Sequence, residues 1–125
     1  MAKVTALDLD QQDACPIRNV LSRVQGKWQP LILLALDDGP MRFGALKRAI
    51  GDVTQRVLTQ HLRGLERDGY LTRTVSPGPP LAVSYALTEQ GKSYVAVLFP
   101  MVLWAKAHHA QIRIHRRDFD AGTAE

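Results

Sequence analysis

The chain has 125 residues, a length that suits one compact domain and leaves no room for a second large one. Its apolar share of 46% is ordinary for a globular protein, so a core can form without metal, and the single cysteine, Cys15, excludes a secreted disulfide scaffold. Formal net charge is +4, and Arg42, Lys47, Arg48, Arg56, Arg63, Arg67 and Arg73 outnumber Asp52, Glu66 and Asp68 by that same margin. Positive charge gathered in one stretch is the footprint of a polyanion binder. Lys3 is followed by Asp8, Asp10 and Asp13, which is not the order of a signal peptide. The most apolar run, from Tyr94 to Ala105, is too short to span a bilayer and contains Pro100. A cytoplasmic protein with no membrane partner is expected.

In chain order, residues 1–14 read as a flexible acidic arm. Cys15-Pro16 opens a first helix, because proline is tolerated at the first helical position, and Ile17, Val20, Leu21 and Val24 line one face up to Gly26. A second helix begins at Lys27-Trp28 and stops at Asp37-Asp38-Gly39-Pro40. Arg42-Phe43 leads into a short helix with Phe43, Leu46, Ala49 and Ile50 inward and Lys47 and Arg48 outward. After the turn Gly51-Asp52-Val53 comes a longer helix, with Thr54 as its N-cap and Gly69 as its stop. Leu58, Leu62 and Leu65 share its inner face. Arg56, Gln60, Arg63 and Arg67 gather opposite, with Thr59 at the edge.

Two helices joined by a short glycine-containing turn describe a helix-turn-helix, here residues 43–69, whose second helix is the reader. Leu71 to Val75 alternates apolar and polar as a half-buried strand does. Ser76-Pro77-Gly78-Pro79-Pro80 is a rigid tip, and Ala82 to Leu87 returns. A hairpin at 71–87 after a helix-turn-helix is the order of a winged helix. Thr88-Glu89-Gln90-Gly91 restarts helix, and from Tyr94 to Trp104 apolar residues cover nearly the whole circumference. A helix apolar all round is buried all round, and a second copy of the chain is the expected cover. The fold class is α+β, mostly helical: a winged helix-turn-helix with a two-stranded β-hairpin wing and N- and C-terminal dimerisation helices. The winged-helix domain covers 15–117, with its last helix at 89–117, and 118–125 reads as a frayed tail.

With these residues placed, the chain resembles the HxlR family of bacterial winged-helix regulators, which are related to the MarR type. The resemblance runs from Cys15 to about Trp104. It rests on Cys15-Pro16-Ile17, Gly26-Lys27-Trp28, Arg42-Phe43 with Leu46, and Gln55-Arg56 with Leu58-Thr59. Leu62, Leu65-Glu66, Gly69, Val83, Tyr85, Leu87-Thr88 and Gly91 complete it. Ala45 and Ser84 stand where the family usually has glutamate, and the wing tip is one residue longer. The resemblance implies a homodimer on a short inverted repeat of double-stranded DNA near a promoter, usually as a repressor.

The expected DNA contacts divide by position. Gln55, Arg56, Thr59 and Gln60, near the helix start with Thr54, are the base readers. Arg63 and Arg67 meet phosphates, and Arg42, Lys47, Arg48 and Arg73 join them around the reading helix. The expected dimer interface comprises Ile17, Leu21, Leu98, Met101, Val102 and Trp104. Cys15 opens a helix, where the dipole favours a negatively charged sulfur, and several members of the resembled family sense oxidants or electrophiles through a cysteine here. The alternative for Cys15 is a small buried apolar residue. Partners therefore include a small electrophile, an oxidant or an aromatic ligand. His108, His109 and His115 do not make a metal site, no cofactor is expected, and no nucleophile–base pair points to an enzyme. The rival reading is a winged helix that docks proteins and has no specific DNA role. A regulator controlled by a non-covalent small ligand is a further alternative.

Overall fold

The computed structural model describes residues 15–24 and 26–123. The acidic arm expected at 1–14 lies outside the described residues. The chain forms two compact units, Met1–Lys92 and Ser93–Glu125. The last helix, at 35 residues, is about 52 Å long, beyond the diameter of a small domain.

The first unit opens with a π-helical turn (Ile17–Leu21) that runs into α1 (Ser22–Val24). The amide of Asn19 donates to the Cys15 carbonyl at 2.8 Å, so Cys15 starts the helix as its sequence position predicts. Lys27 lies over the Trp28 ring, 4.6 Å from its centroid, just before α2 (Gln29–Ala35). Pro30 falls in the first turn of α2, where its missing N–H costs little. A 3₁₀ turn (Leu36–Asp38) and Gly39, at φ 141°, end that helix.

Next come β1 (Met41–Arg42), α3 (Phe43–Ile50), α4 (Gln55–Arg67), β2 (Leu71–Ser76) and β3 (Ala82–Leu87). β1 is a two-residue edge strand that pairs Met41 with Tyr85 and Arg42 with Ser84, giving a three-stranded antiparallel sheet in the order β1-β3-β2. β2 and β3 form the expected hairpin wing, and β1 adds a third strand to its sheet; two residues are too few to show alternation in a sequence. Ile32, Leu33, Leu36, Leu46, Val53, Leu58, Leu62, Leu65 and Leu71 are all buried in this unit. α2 packs on α3, and α4 on β2. Tyr70 is buried too, and its phenol is held above the ordinary tyrosine range by desolvation first and by the nearby Asp68 carboxylate second.

α5 (Glu89–Thr123) begins in the first unit and makes up the second. Residues 118–123, expected to fray, continue the helix; no proline follows Pro100, and the first glycine after it, Gly122, comes in the final turn. Gly91, Val95, Leu98 and the half-buried Val102 recur at helical spacing and form its covered stripe. Val97, Phe99, Met101, Leu103 and Trp104 are exposed around the remaining faces. Among the described residues no helix is long and apolar enough to cross a membrane.

Candidate nucleic-acid interface

α4 is a well-terminated helix. The Thr54 hydroxyl accepts the Val57 amide at 3.2 Å, which satisfies one of the donors a helix start leaves unpaired. At the other end Gly69, at φ 85°, donates to Glu66 while Tyr70 donates to Leu65. That pair of bonds is a Schellman stop, and its left-handed residue is cheapest as glycine.

The strand exit then clamps this end. Thr88 donates its hydroxyl to the Gly69 carbonyl at 2.5 Å and accepts the Gly91 amide at 3.0 Å. Its own amide donates to Tyr70, and the Gln90 amide group donates to the Asp68 carbonyl at 2.7 Å. One threonine therefore caps α5 and pins the end of α4. Nothing in the sequence pattern exposes that second role, since the partners are some twenty residues away.

Three leucines, Leu58, Leu62 and Leu65, bury the inner face of α4, and Gln55, Arg56, Gln60, Arg63 and Arg67 are exposed. The structure thus brings five of the expected contact residues to one accessible helix about 20 Å long. Thr59 is half-buried, and its hydroxyl donates to the Gln55 carbonyl at 2.8 Å, leaving its methyl group and lone pairs for other contacts. Thr54 is exposed, with its oxygen already engaged as the cap.

Arg42 is exposed at the join of β1 and α3, and Arg48 is exposed on α3 beside Gly44. Lys47 is half-buried, so its stem runs along the protein. Arg73 sits on β2 opposite Tyr85, at the base of the wing and not at its tip. It lines a hollow of about 290 Å³ with Thr59, Arg63, Glu66 and Tyr85. One acid therefore stands next to two of the expected phosphate ligands.

Two other contacts hold the helix in place. The Gln29 side-chain amide donates to Nδ1 of His61 at 2.7 Å, tying α2 to the flank of α4. Sequence reasoning missed this pair, because two polar residues 32 positions apart carry no periodic signal. Cys15 is 0% exposed, the environment of a packing residue; a reactive thiol needs access. Of the expected interface residues, Ile17, Leu21, Met101 and Trp104 are exposed and Val102 is half-buried. Leu98 is 4% exposed within the single chain. Trp104 stacks on His108 with ring centroids 4.2 Å apart, and the described residues contain no metal-binding cluster.

A capped, leucine-backed helix with a basic outer face, followed by a paired wing, is the geometry of a DNA-reading winged helix. The family model of HxlR-like helix-turn-helix proteins matches residues 23–113. The chain belongs to the HxlR-like helix-turn-helix family. This HxlR-like chain is 39% identical over 99 residues to an HTH-type transcriptional regulator of Methanothermobacter thermautotrophicus, covering 79% of itself and 76% of the relative. Among solved structures it is similar to ytfH from Salmonella typhimurium, with a TM-score of 0.78 and 36% identity over 88% of this chain and 97% of the other. It also resembles the redox regulator HypR in its oxidised form, with a TM-score of 0.69 and 35% identity over 74% and 96% of the two chains.

Proposed function

We propose that this HxlR-like protein is a transcriptional regulator that binds an inverted-repeat operator as a homodimer and acts as a repressor. The observation that carries the reading is the outer face of α4: Gln55, Arg56, Gln60 and Arg63 are all exposed on a helix whose opposite side is closed by leucine. Arginine reads guanine and glutamine reads adenine in a major groove, while the more distant Arg63 and Arg67 suit phosphates. Two such helices about 34 Å apart meet successive major grooves on one face of the duplex. The second copy comes from the exposed apolar residues of α5, since Phe99, Met101, Leu103 and Trp104 are each more than half exposed. Sedimentation of the full chain is expected to give twice the chain mass of 13.9 kDa; a monomer at micromolar concentration would remove the two-fold arrangement.

The central test is fluorescence-anisotropy binding to DNA from upstream of the protein's own gene, against scrambled DNA, over a salt series. Arg56→Ala is expected to cost about 1–3 kcal/mol on the specific fragment and to relax preference at one base pair. Lys47→Ala should weaken specific and scrambled DNA alike and flatten the salt dependence by about one unit. If Arg56→Ala alters neither affinity nor preference, α4 does not read the groove. Equal binding of both DNAs at every salt concentration favours the protein-docking alternative.

Oxidant sensing through Cys15 is a second reading. The likeness to HypR supports it, and the burial of Cys15 requires that the first helical turn open before the sulfur reacts. Mass spectrometry after mild diamide treatment decides it: an unmodified Cys15 with DNA binding intact removes the reading.

A further inference from the structure

We propose that the far part of α5 is a second contact surface for duplex DNA, one that grips the phosphate backbone without reading its sequence. Lys106, His109, Arg113, Arg116 and Arg117 are all exposed on one continuous helix. The helical period puts them on a single stripe, about 100° wide and about 17 Å long. No aspartate or glutamate occurs from Gln90 to Arg117, so no acid in that stretch offsets the charge.

The ordinary reasons for basic residues on a helix do not account for this stripe. An exposed helix gains from opposite charges four residues apart, whereas Arg113 and Arg117, at that spacing, repel. Cations near a helix end gain from its dipole, but that gain is confined to the last turn, where α5 carries no basic residue. Lys106, Arg113, Arg116 and Arg117 are in no ion pair among the described residues. The stripe therefore weakens its own helix, and a polyanion laid along it turns that repulsion into attraction.

A second copy of the chain does not fit here, because two such stripes repel each other. The exposed apolar residues that suit a second copy, Phe99, Met101, Leu103 and Trp104, end before the stripe begins. His108 and His115 lie off the stripe and are bonded within the helix, His108 through Nδ1 to the Trp104 carbonyl at 2.9 Å and His115 to the Gln111 amide at 3.3 Å.

The spacing of the charges fits DNA. One strand presents a phosphate about every 3.4 Å along the duplex axis, so the stripe runs beside about five of them. Three of its five residues are arginine, whose forked donors match phosphate, and the lysine and the histidine N–H add single contacts. Gln111 lies on the opposite side of the helix, which leaves the stripe to charge contacts that carry no sequence information. Arg116 and Arg117 also lie beyond residue 113, where the match to the HxlR-like family ends. The choice of duplex DNA rests on the DNA-binding reading above, but the stripe does not need α4 to read a sequence.

The test is fluorescence-anisotropy binding of the full chain to a duplex that lacks the operator and to DNA from upstream of its own gene, over a salt series. A variant combining Arg113→Gln, Arg116→Gln and Arg117→Gln should stay helical by circular dichroism and sediment like the parent, since glutamine is a good helix former. It should bind both duplexes about tenfold more weakly at low salt and lower the salt slope by about three per protomer. Its preference for the upstream fragment should match the parent's, in contrast to Arg56→Ala. A charge-matched variant, with Arg113→Gln and Arg117→Gln offset by Ala107→Arg and Gln111→Arg on the opposite side, should also bind both duplexes more weakly, with the slope lowered by about two per protomer. A triple variant that keeps the parent's affinity and slope on the operator-free duplex overturns the stripe. So does a charge-matched variant that binds like the parent, because net charge alone would then explain the binding. Loss of binding confined to phosphatidylglycerol vesicles, with duplex binding intact, overturns it in favour of an anionic membrane. A parent with no preference for the upstream fragment removes operator reading, yet the stripe stands if the triple and charge-matched variants still lose affinity.

Discussion

Gly91→Ala is expected to cost about 3 kcal/mol of folding stability, the upper end of what overpacking usually does. A Cβ on Gly91 would overlap the carbonyl oxygen of Tyr70 and press on the Tyr70 carbonyl carbon and Leu87. The obstacle is backbone, so no rotamer change relieves it. That same Tyr70 carbonyl accepts the Thr88 amide, and the Gly91 amide is bonded to the Thr88 hydroxyl. Pushing Gly91 away therefore strains the clamp that holds the end of α4. Urea unfolding and thermal melting provide the measurement, with a fall in Tm of more than about 10 °C expected for a unit of this size. A melt within a degree or two of the parent would mean that the start of α5 is not seated against Tyr70.

Leu58→Ala is the second large effect, expected to cost about 3–5 kcal/mol. Leu58 is fully buried on the inner face of α4, and truncating it deletes apolar contact and leaves a cavity. Compared with Arg56→Ala in the same turn, it separates folding from recognition. Leu58→Ala should lower the unfolding midpoint and reduce DNA binding only through the folded fraction. Arg56→Ala should leave stability within about 0.5 kcal/mol of the parent and change DNA affinity directly. A Leu58→Ala protein as stable as the parent would remove α4 from the core.

Both substitutions fall on the helix whose design is most legible in the amino-acid sequence. α4 is readable from end to end, because its cap, its leucine spacing and its glycine stop all lie within sixteen residues and obey local rules. The outer basic face follows from the same periodicity, since placing leucine inward fixes where arginine points. β2 and β3 are equally plain, because alternation over six residues is a strong signal. β1 is not, for a two-residue strand exists only through its bonds to β3.

Other features need the folded chain for the same reason. Apolar residues around the whole of α5 predict cover on all sides, but periodicity alone does not say which of them, Val95 and Leu98 here, are buried within a single chain. The end of α5 is hidden because polar composition resembles a frayed tail, whereas helical propensity continues to Thr123. The Gln29–His61 bond joins segments more than thirty residues apart. The sequence by itself determined the element order, the reading helix and the family, because those are written in periodicity, caps and short motifs. Only the tertiary structure decided the third strand, the Thr88 clamp, and the burial of Cys15 and Leu98. Each of these depends on distances between residues that no local pattern constrains.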